Sequence, residues 1–171
     1  MIHPPKNLEP LLAPLKVLIV DDEPYMRKVI RTLLLSLGIK NVTEAGDGVQ
    51  GLEEIRTGAP DLVLLDWEMP GMNGNTFVRH VRSPKTFPRP GVPIIMLTGK
   101  SERKRVVEAV TIGVNEYLLK PVSSNALLTR IVAVVAKPRP IVQIGDYYGP
   151  EPRKMNTYKP ESDAGHTLTM I

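Results

Sequence analysis

The stretch Lys16-Val-Leu-Ile-Val20-Asp21-Asp22-Glu23 decides how this chain is to be read. Its apolar, β-branched run shows no in–out alternation after Lys16, the pattern of a strand covered on both faces. Three acids follow immediately, at the point where such a strand ends. Beyond them Met26, Val29, Ile30, Leu33, Leu34 and Leu37 recur at three- and four-residue intervals, one face of a helix that Gly38 stops.

The same alternation continues outward. Residues 42–45 predict a weaker strand, and 49–57 a short helix with Gly58 placed to end it. Residues 62–65 predict a second buried strand, and a helix begins at about Thr76. A further buried strand is expected over 93–97, then a helix over 101–112, a strand over 117–119 and a closing helix over 125–136. Five strands alternating with five helices predict an α/β sandwich around a parallel sheet. In such sheets ligands sit beyond the carboxyl ends of the strands.

Those ends carry a consistent chemistry. Asp21-Asp22-Glu23 follows the first strand, Asp66 the third, Thr98 the fourth and Lys120-Pro121 the fifth. Any one of these alone reads as a cap, a helix-entry residue or a solvated strand end. Together they bring carboxylates, a hydroxyl and an amine to one crevice. Crowded carboxylates either recruit a cation or raise their pKa values. With no histidine or cysteine nearby, an all-oxygen ligand set favours a hard divalent ion, Mg²⁺. A lysine and a hydroxyl beside it form a cradle for phosphoryl oxygens, and a carboxylate can itself be the nucleophile that takes the phosphoryl group.

Asp21-Asp22, the run Leu64-Leu-Asp66-Trp-Glu-Met-Pro-Gly-Met-Asn-Gly74, Thr98-Gly99 and Tyr117-Leu-Leu-Lys120-Pro121 together resemble the receiver domain of two-component response regulators, in its stand-alone, chemotaxis-type form. The resemblance covers residues 16–136. It implies a flavodoxin-like (βα)5 fold with strand order 2-1-3-4-5 and a cis bond before Pro121. It further implies that Asp66 accepts phosphate from a histidine kinase or a histidine phosphotransfer protein. Asp22 would ligate Mg²⁺ directly and Asp21 through water, joined by Asp66 and the backbone carbonyl of Glu68, while Lys120 pairs with the phosphoryl group. Thr98 would turn toward the phosphoryl oxygen and Tyr117 rotate inward behind it. This changes the face made by the fourth helix, fifth strand and fifth helix, which would meet a downstream protein target; a homodimer is left open. By position, Glu68 and Lys100 flank the mouth and would tune the lifetime of the acyl phosphate. On this reading the protein catalyses only its own phosphorylation and dephosphorylation.

Three features depart from that pattern. The stretch 82–92 is longer than the family usually has, and its prolines and glycine demand an ordered or extended loop. Lys100, Arg103, Lys104 and Arg105 form a basic helix start, against the helix dipole, which points to an acidic partner or to subunit pairing if it is more than a solvated face. Flanking the domain are a lead-in, 1–15, and an extended Pro-rich tail, 137–171. Within the tail 141–144 reads as a short strand, and Tyr147-Tyr148-Gly-Pro150 as a turn whose aromatic pair docks on the receiver or on a second copy.

Composition narrows the alternatives. The 171 residues are 42% hydrophobic and 23% charged, as in a folded water-soluble domain. No apolar run approaches the ~20 residues that cross a bilayer, and no signal peptide is evident, so neither membrane nor secretion is expected. Cysteine is absent, which removes disulfides and thiol chemistry and suits a reducing cytoplasm. A net charge of +4, spread along the chain, gives no phosphate-backbone footprint and no expectation of nucleic-acid binding. An aspartyl-phosphate hydrolase would use similar strand-end groups but with an Asp-x-Asp nucleophile pair and a cap insertion, neither of which is seen. A phosphorylation-independent receiver-like scaffold is the remaining alternative.

Overall fold

The run 16–20 forms β1 (Lys16–Val20), an inner strand between β2 and β3 of a five-stranded parallel sheet ordered β2-β1-β3-β4-β5, with β2 at Asn41–Ala45, β3 at Leu62–Asp66, β4 at Ile94–Thr98 and β5 at Glu116–Leu119. This computed structural model describes residues 6–99 and 103–153. The α/β sandwich is as the periodicity predicts, and the flavodoxin-like 2-1-3-4-5 order is as the resemblance implies. Every residue of β3 and β4 is buried, which is why those runs are continuously apolar rather than alternating. Register places Val20 beside both Ala45 and Leu65, and Asp66 beside Leu97, so the strand ends align at one rim.

Five helices cover the sheet: α1 (Pro24–Ser36), α2 (Gly48–Gly58), α3 (Gly74–Val81), α4 (Arg103–Ile112) and α5 (Ser124–Ala136). Successive strand residues face opposite sides. Val17 and Ile19 pack with Ile30, Leu34, Leu127 and Ile131 of α1 and α5, whereas Leu18 and Val20 pack with Leu52, Phe77, Val78 and Ala109 of α2, α3 and α4. Helix starts follow their capping chemistry. Asp47, Asn73 and Ser123 accept from the backbone N–H three residues on, and Pro24 opens α1 with its fixed φ.

Several boundaries differ from expectation. Gly58 is the last residue of α2, and it is Ala59 that turns the chain out of the helix, at φ 46° and ψ 58°. The helix expected from Ser101 is described from Arg103, Ser101 itself lying outside the described residues. The lead-in is not merely a connector: a helical turn, Glu9–Leu12, places Leu12 and Leu15 inside the α1–α5 core.

The largest correction concerns the segment from Lys137 onward, expected as extended. Ile141–Ile144 and Tyr147–Pro150 pair as the antiparallel strands β6 and β7. The turn falls instead at Gly145-Asp146, because Gly145 supplies the left-handed φ of 58° that a two-residue hairpin needs at its first position. Glu151 N–H donates to Pro140 O at 2.8 Å and continues the ladder. The hairpin lies against the end of α4. A Cβ added to Gly149 would come within 3.0 Å of Gly113 Cα, so neither backbone leaves room for a side chain there. The rest of the tail, from residue 154, lies outside the described residues.

Candidate functional site

At the carboxyl rim each strand end delivers its group at a fixed height. Asp21 extends β1 by one ladder bond, its N–H donating to Ala45 O at 3.1 Å. Its Oδ1 accepts from Glu23 N–H at 2.9 Å, and its carbonyl accepts from Arg27 Nη1 at 2.7 Å. The residue is therefore held from three directions, through its backbone N–H, its carbonyl and its side chain. Asp66, the last residue of β3, is 5% exposed, and its carboxylate accepts from the backbone N–H of Glu68. Asp22 stands beside them, half-buried. One carboxylate oxygen from each of Asp21, Asp22 and Asp66 lies within 4.8 Å of the others.

Lys120 is the cation that meets this cluster. Its Nζ donates to Asp66 Oδ1 at 3.0 Å and lies 3.4 Å from Asp21 Oδ2. Its backbone N–H donates to Thr98 O at 2.8 Å, continuing the sheet, and the Lys120–Pro121 bond is cis. Three carboxylates against one ammonium leave an excess of negative charge. Burial, first, and then the charge of Asp21 push the Asp66 carboxyl up to about 6, although the Lys120 hydrogen bond pulls the other way. For Lys120, burial favours loss of the proton, but its bond to Asp66 and the two carboxylate charges outweigh it and raise the pKa. An all-oxygen cluster with surplus negative charge is chemically suited to a hard divalent cation.

Thr98 ends β4 with no exposed surface, and Tyr117, 1% exposed, hydrogen-bonds to its hydroxyl. Tyr117 and Thr98 are thus joined to each other at the end of the sheet. A buried phenol needs a hydrogen-bond partner, and Thr98 supplies one. Burial raises the Tyr117 pKa, opposed by the Thr98 bond and by the charge of Arg105. Of the two flanking residues, Glu68 has an exposed side chain, while Lys100 lies outside the described residues.

Two contacts around the site were not anticipated. Trp67, directly after Asp66, is buried, and the Arg105 guanidinium lies 4.6 Å from its ring centre. Arg105 therefore turns from the basic helix start onto the site's own wall; a single tryptophan next to the central acid was the available signal. Glu116, at the start of β5, is 1% exposed and pairs with Arg130 at 3.4 Å and with Arg153 of the C-terminal segment at 2.7 Å. An ionised residue opening an otherwise apolar strand was its only trace in the sequence.

Known proteins resemble this chain. The family model described as the response regulator receiver domain matches residues 17–132. Chemotaxis protein CheY of Pseudomonas aeruginosa is 38% identical over 117 residues, covering 68% of this chain and 93% of that protein. Chemotaxis protein CheY1 of Helicobacter pylori is 38% identical over 122 residues, 71% of this chain and 97% of that one. Among solved structures, Vibrio cholerae chemotaxis protein CheY4 superposes with a TM-score of 0.64 at 31% identity, over 70% of this chain and 98% of its own. The Francisella response regulator 1452 receiver domain gives 0.65 at 28% identity, over 73% and 99%. Residues beyond the matched region, the β6–β7 hairpin among them, are additional to what these relatives share. With the fold and the relatives in agreement, this chain belongs to the response regulator receiver family of two-component signalling proteins.

Proposed function

We propose that the protein is a phosphorylation-activated response regulator in which Asp66 accepts a phosphoryl group from a phosphohistidine on a histidine kinase or a histidine phosphotransfer protein. A carboxylate oxygen of Asp66 attacks phosphorus. The P–N bond breaks, and its electron pair leaves with the imidazole, which takes up a proton. The observation that carries this reading is the 3.0 Å approach of Lys120 Nζ to Asp66 Oδ1, inside a cluster that also holds Asp21 and Asp22. Lys120 is placed to follow the charge from the carboxylate to the phosphoryl oxygens.

Asp21, Asp22, Asp66 and the Glu68 carbonyl would hold Mg²⁺, which when bound offsets the negative charge of donor and acceptor as they approach. Phosphorylation replaces the single charge of the ionised carboxylate by a phosphoryl group carrying about −1.5 to −2, held further out at this rim. Thr98 then gives its hydroxyl to a phosphoryl oxygen in place of Tyr117, and Tyr117 repacks against α4. That exchange carries the signal to the face made by α4, β5 and α5, where a downstream protein target binds. Glu68 and Lys100 set how readily water reaches the acyl phosphate, and an unchanged dephosphorylation rate in Lys100→Ala would remove Lys100 from this role.

Incubation with Mg²⁺ and acetyl phosphate, read by intact mass, tests the central step. A gain of one phosphoryl group in the wild type but not in Asp66→Ala is expected. No gain on the intact site would replace the proposal by a phosphorylation-independent scaffold. Size-exclusion elution followed on the same samples reads self-association as an output.

A further inference from the structure

The foot of β5 is held by the chain's own C-terminal segment. Arg153 Nη2 donates to Glu116 Oε1 at 2.7 Å, and Arg139 Nη2 donates to Asn115 O at 2.7 Å while its Nη1 donates to Glu151 O, also at 2.7 Å. The two ends of the β6–β7 hairpin are thereby tied to consecutive residues at one strand terminus. Gly149 lies backbone to backbone with Gly113, at the end of α4. On its other side Glu116 pairs with Arg130 of α5. The hairpin therefore touches α4, β5 and, through one shared carboxylate, α5. Glu116 is 1% exposed, and a buried carboxylate held by two guanidiniums tolerates little displacement, since a lost partner leaves charge uncompensated.

Glu116 is also the residue before Tyr117, and Lys120 follows three residues later on the same chain. β5 thus joins both groups that respond to Asp66 to the residue that anchors the hairpin. We propose that residues 139–153 are an intrachain ligand of the signalling face, latched by Arg153 on Glu116 and loosened when phosphorylation of Asp66 shifts β5. This rests on the proposed role of Asp66. The latch bonds are short, 2.7 Å each, so a shift of β5 relative to the arm strains them. An arm that leaves the foot of the face uncovers surface for the downstream partner.

Hydrogen–deuterium exchange of the β6–β7 amides in the full chain, with and without acetyl phosphate and Mg²⁺, reads the latch, while intact mass reads phosphorylation on the same samples. In the wild type, phosphorylation should speed exchange of the Val142, Ile144 and Gly149 amides about tenfold, on the scale of a local opening. Asp66→Ala should show no such change. Arg153→Ala, which alters only the arm's side of the latch, should exchange at the faster rate without phosphodonor and gain nothing further from it. A phosphoryl adduct with unchanged hairpin exchange overturns the latch and leaves the receiver reading standing. Absence of the adduct overturns both.

Discussion

Arg82 Nη2 donates to Asn115 Oδ1 at 3.0 Å, and the same oxygen accepts from Ile94 N–H at 2.9 Å. The rest of the guanidinium is spent on carbonyls: Gly113 at 2.8 Å, Pro90 at 2.6 Å and Val92 at 2.7 Å. Among these contacts there is no carboxylate, so a buried cation is held by neutral acceptors. Burial brings its pKa down to about 10, which still leaves it protonated at neutral pH. Arg82 is the knot that ties the long 82–92 loop to the end of α4, beneath the hairpin.

Replacing Arg82 with Met should therefore cost at least about 3 kcal/mol, because several buried carbonyls lose their donor at once. Arg82→Lys should fall nearer to Met than to the wild type, since one ammonium cannot span acceptors arranged for a fork. Urea midpoints of the three proteins check this. A lysine variant as stable as the wild type would show that charge alone, rather than the fork, does the work.

Stability should also depend on pH through Asp66. Its carboxyl stands at about 6 against the ordinary 3.8, so between these values the folded protein keeps a proton that the unfolded chain gives up. The stabilisation is fully present below about pH 4 and is lost as pH rises through 6. Its ceiling is about 3 kcal/mol, reduced by whatever water reaches the rim. Asp66→Asn should flatten the urea midpoint between pH 4 and pH 7 in the presence of a chelator. An unchanged slope would place the titration elsewhere.

Mg²⁺ should act in the opposite direction. A cation that binds only the folded, ionised cluster stabilises by mass action, about 2.7 kcal/mol at a hundredfold excess over its Kd. The gain should be larger at pH 7 than at pH 5, because protons compete for Asp66. Trp67, the single tryptophan, lies next to Asp66, so its fluorescence is expected to titrate with Mg²⁺ in the wild type and to respond much more weakly in Asp22→Asn. Equal titrations in both proteins would exclude Asp22 as a ligand.

Ala59 offers a stabilising change remote from the rim. It is an exposed residue at φ 46°, where its Cβ is strained and glycine is not. Ala59→Gly should add about 1 kcal/mol and raise Tm by about 2–4 °C, with phosphoryl acceptance unaltered. A lowered Tm would mean that the freedom glycine adds to the unfolded chain outweighs the relieved strain.

Local patterns explain why so much of the architecture was legible. Strands such as 62–65 and 94–97 are buried on both faces, so hydrophobicity alone marks them, and a parallel sheet forces their ends to one rim. Asp21, Asp66, Thr98 and Lys120 could be singled out because each directly follows such a run. The shift of the α2 stop from Gly58 to Ala59 was invisible, since glycine is the usual residue at that turn and Pro60 behind it gave no contrary sign strong enough. The hairpin is half visible: 141–144 has the pattern of a strand, but Tyr-Tyr-Gly-Pro carries as strong a turn signal as the Gly145-Asp146 that makes the turn.

The order of elements, the two-sided burial of the sheet and the identity of the groups at its carboxyl rim follow from short-range periodicity and from where each apolar run stops. That Tyr117 rests on Thr98, that Arg105 covers Trp67 and that Arg153 closes on Glu116 is visible in the folded chain alone. Each of these joins residues from separate elements. The physical reason is that a buried hydroxyl, ring or carboxylate takes whichever partner packing brings within reach, and packing is a property of the whole fold.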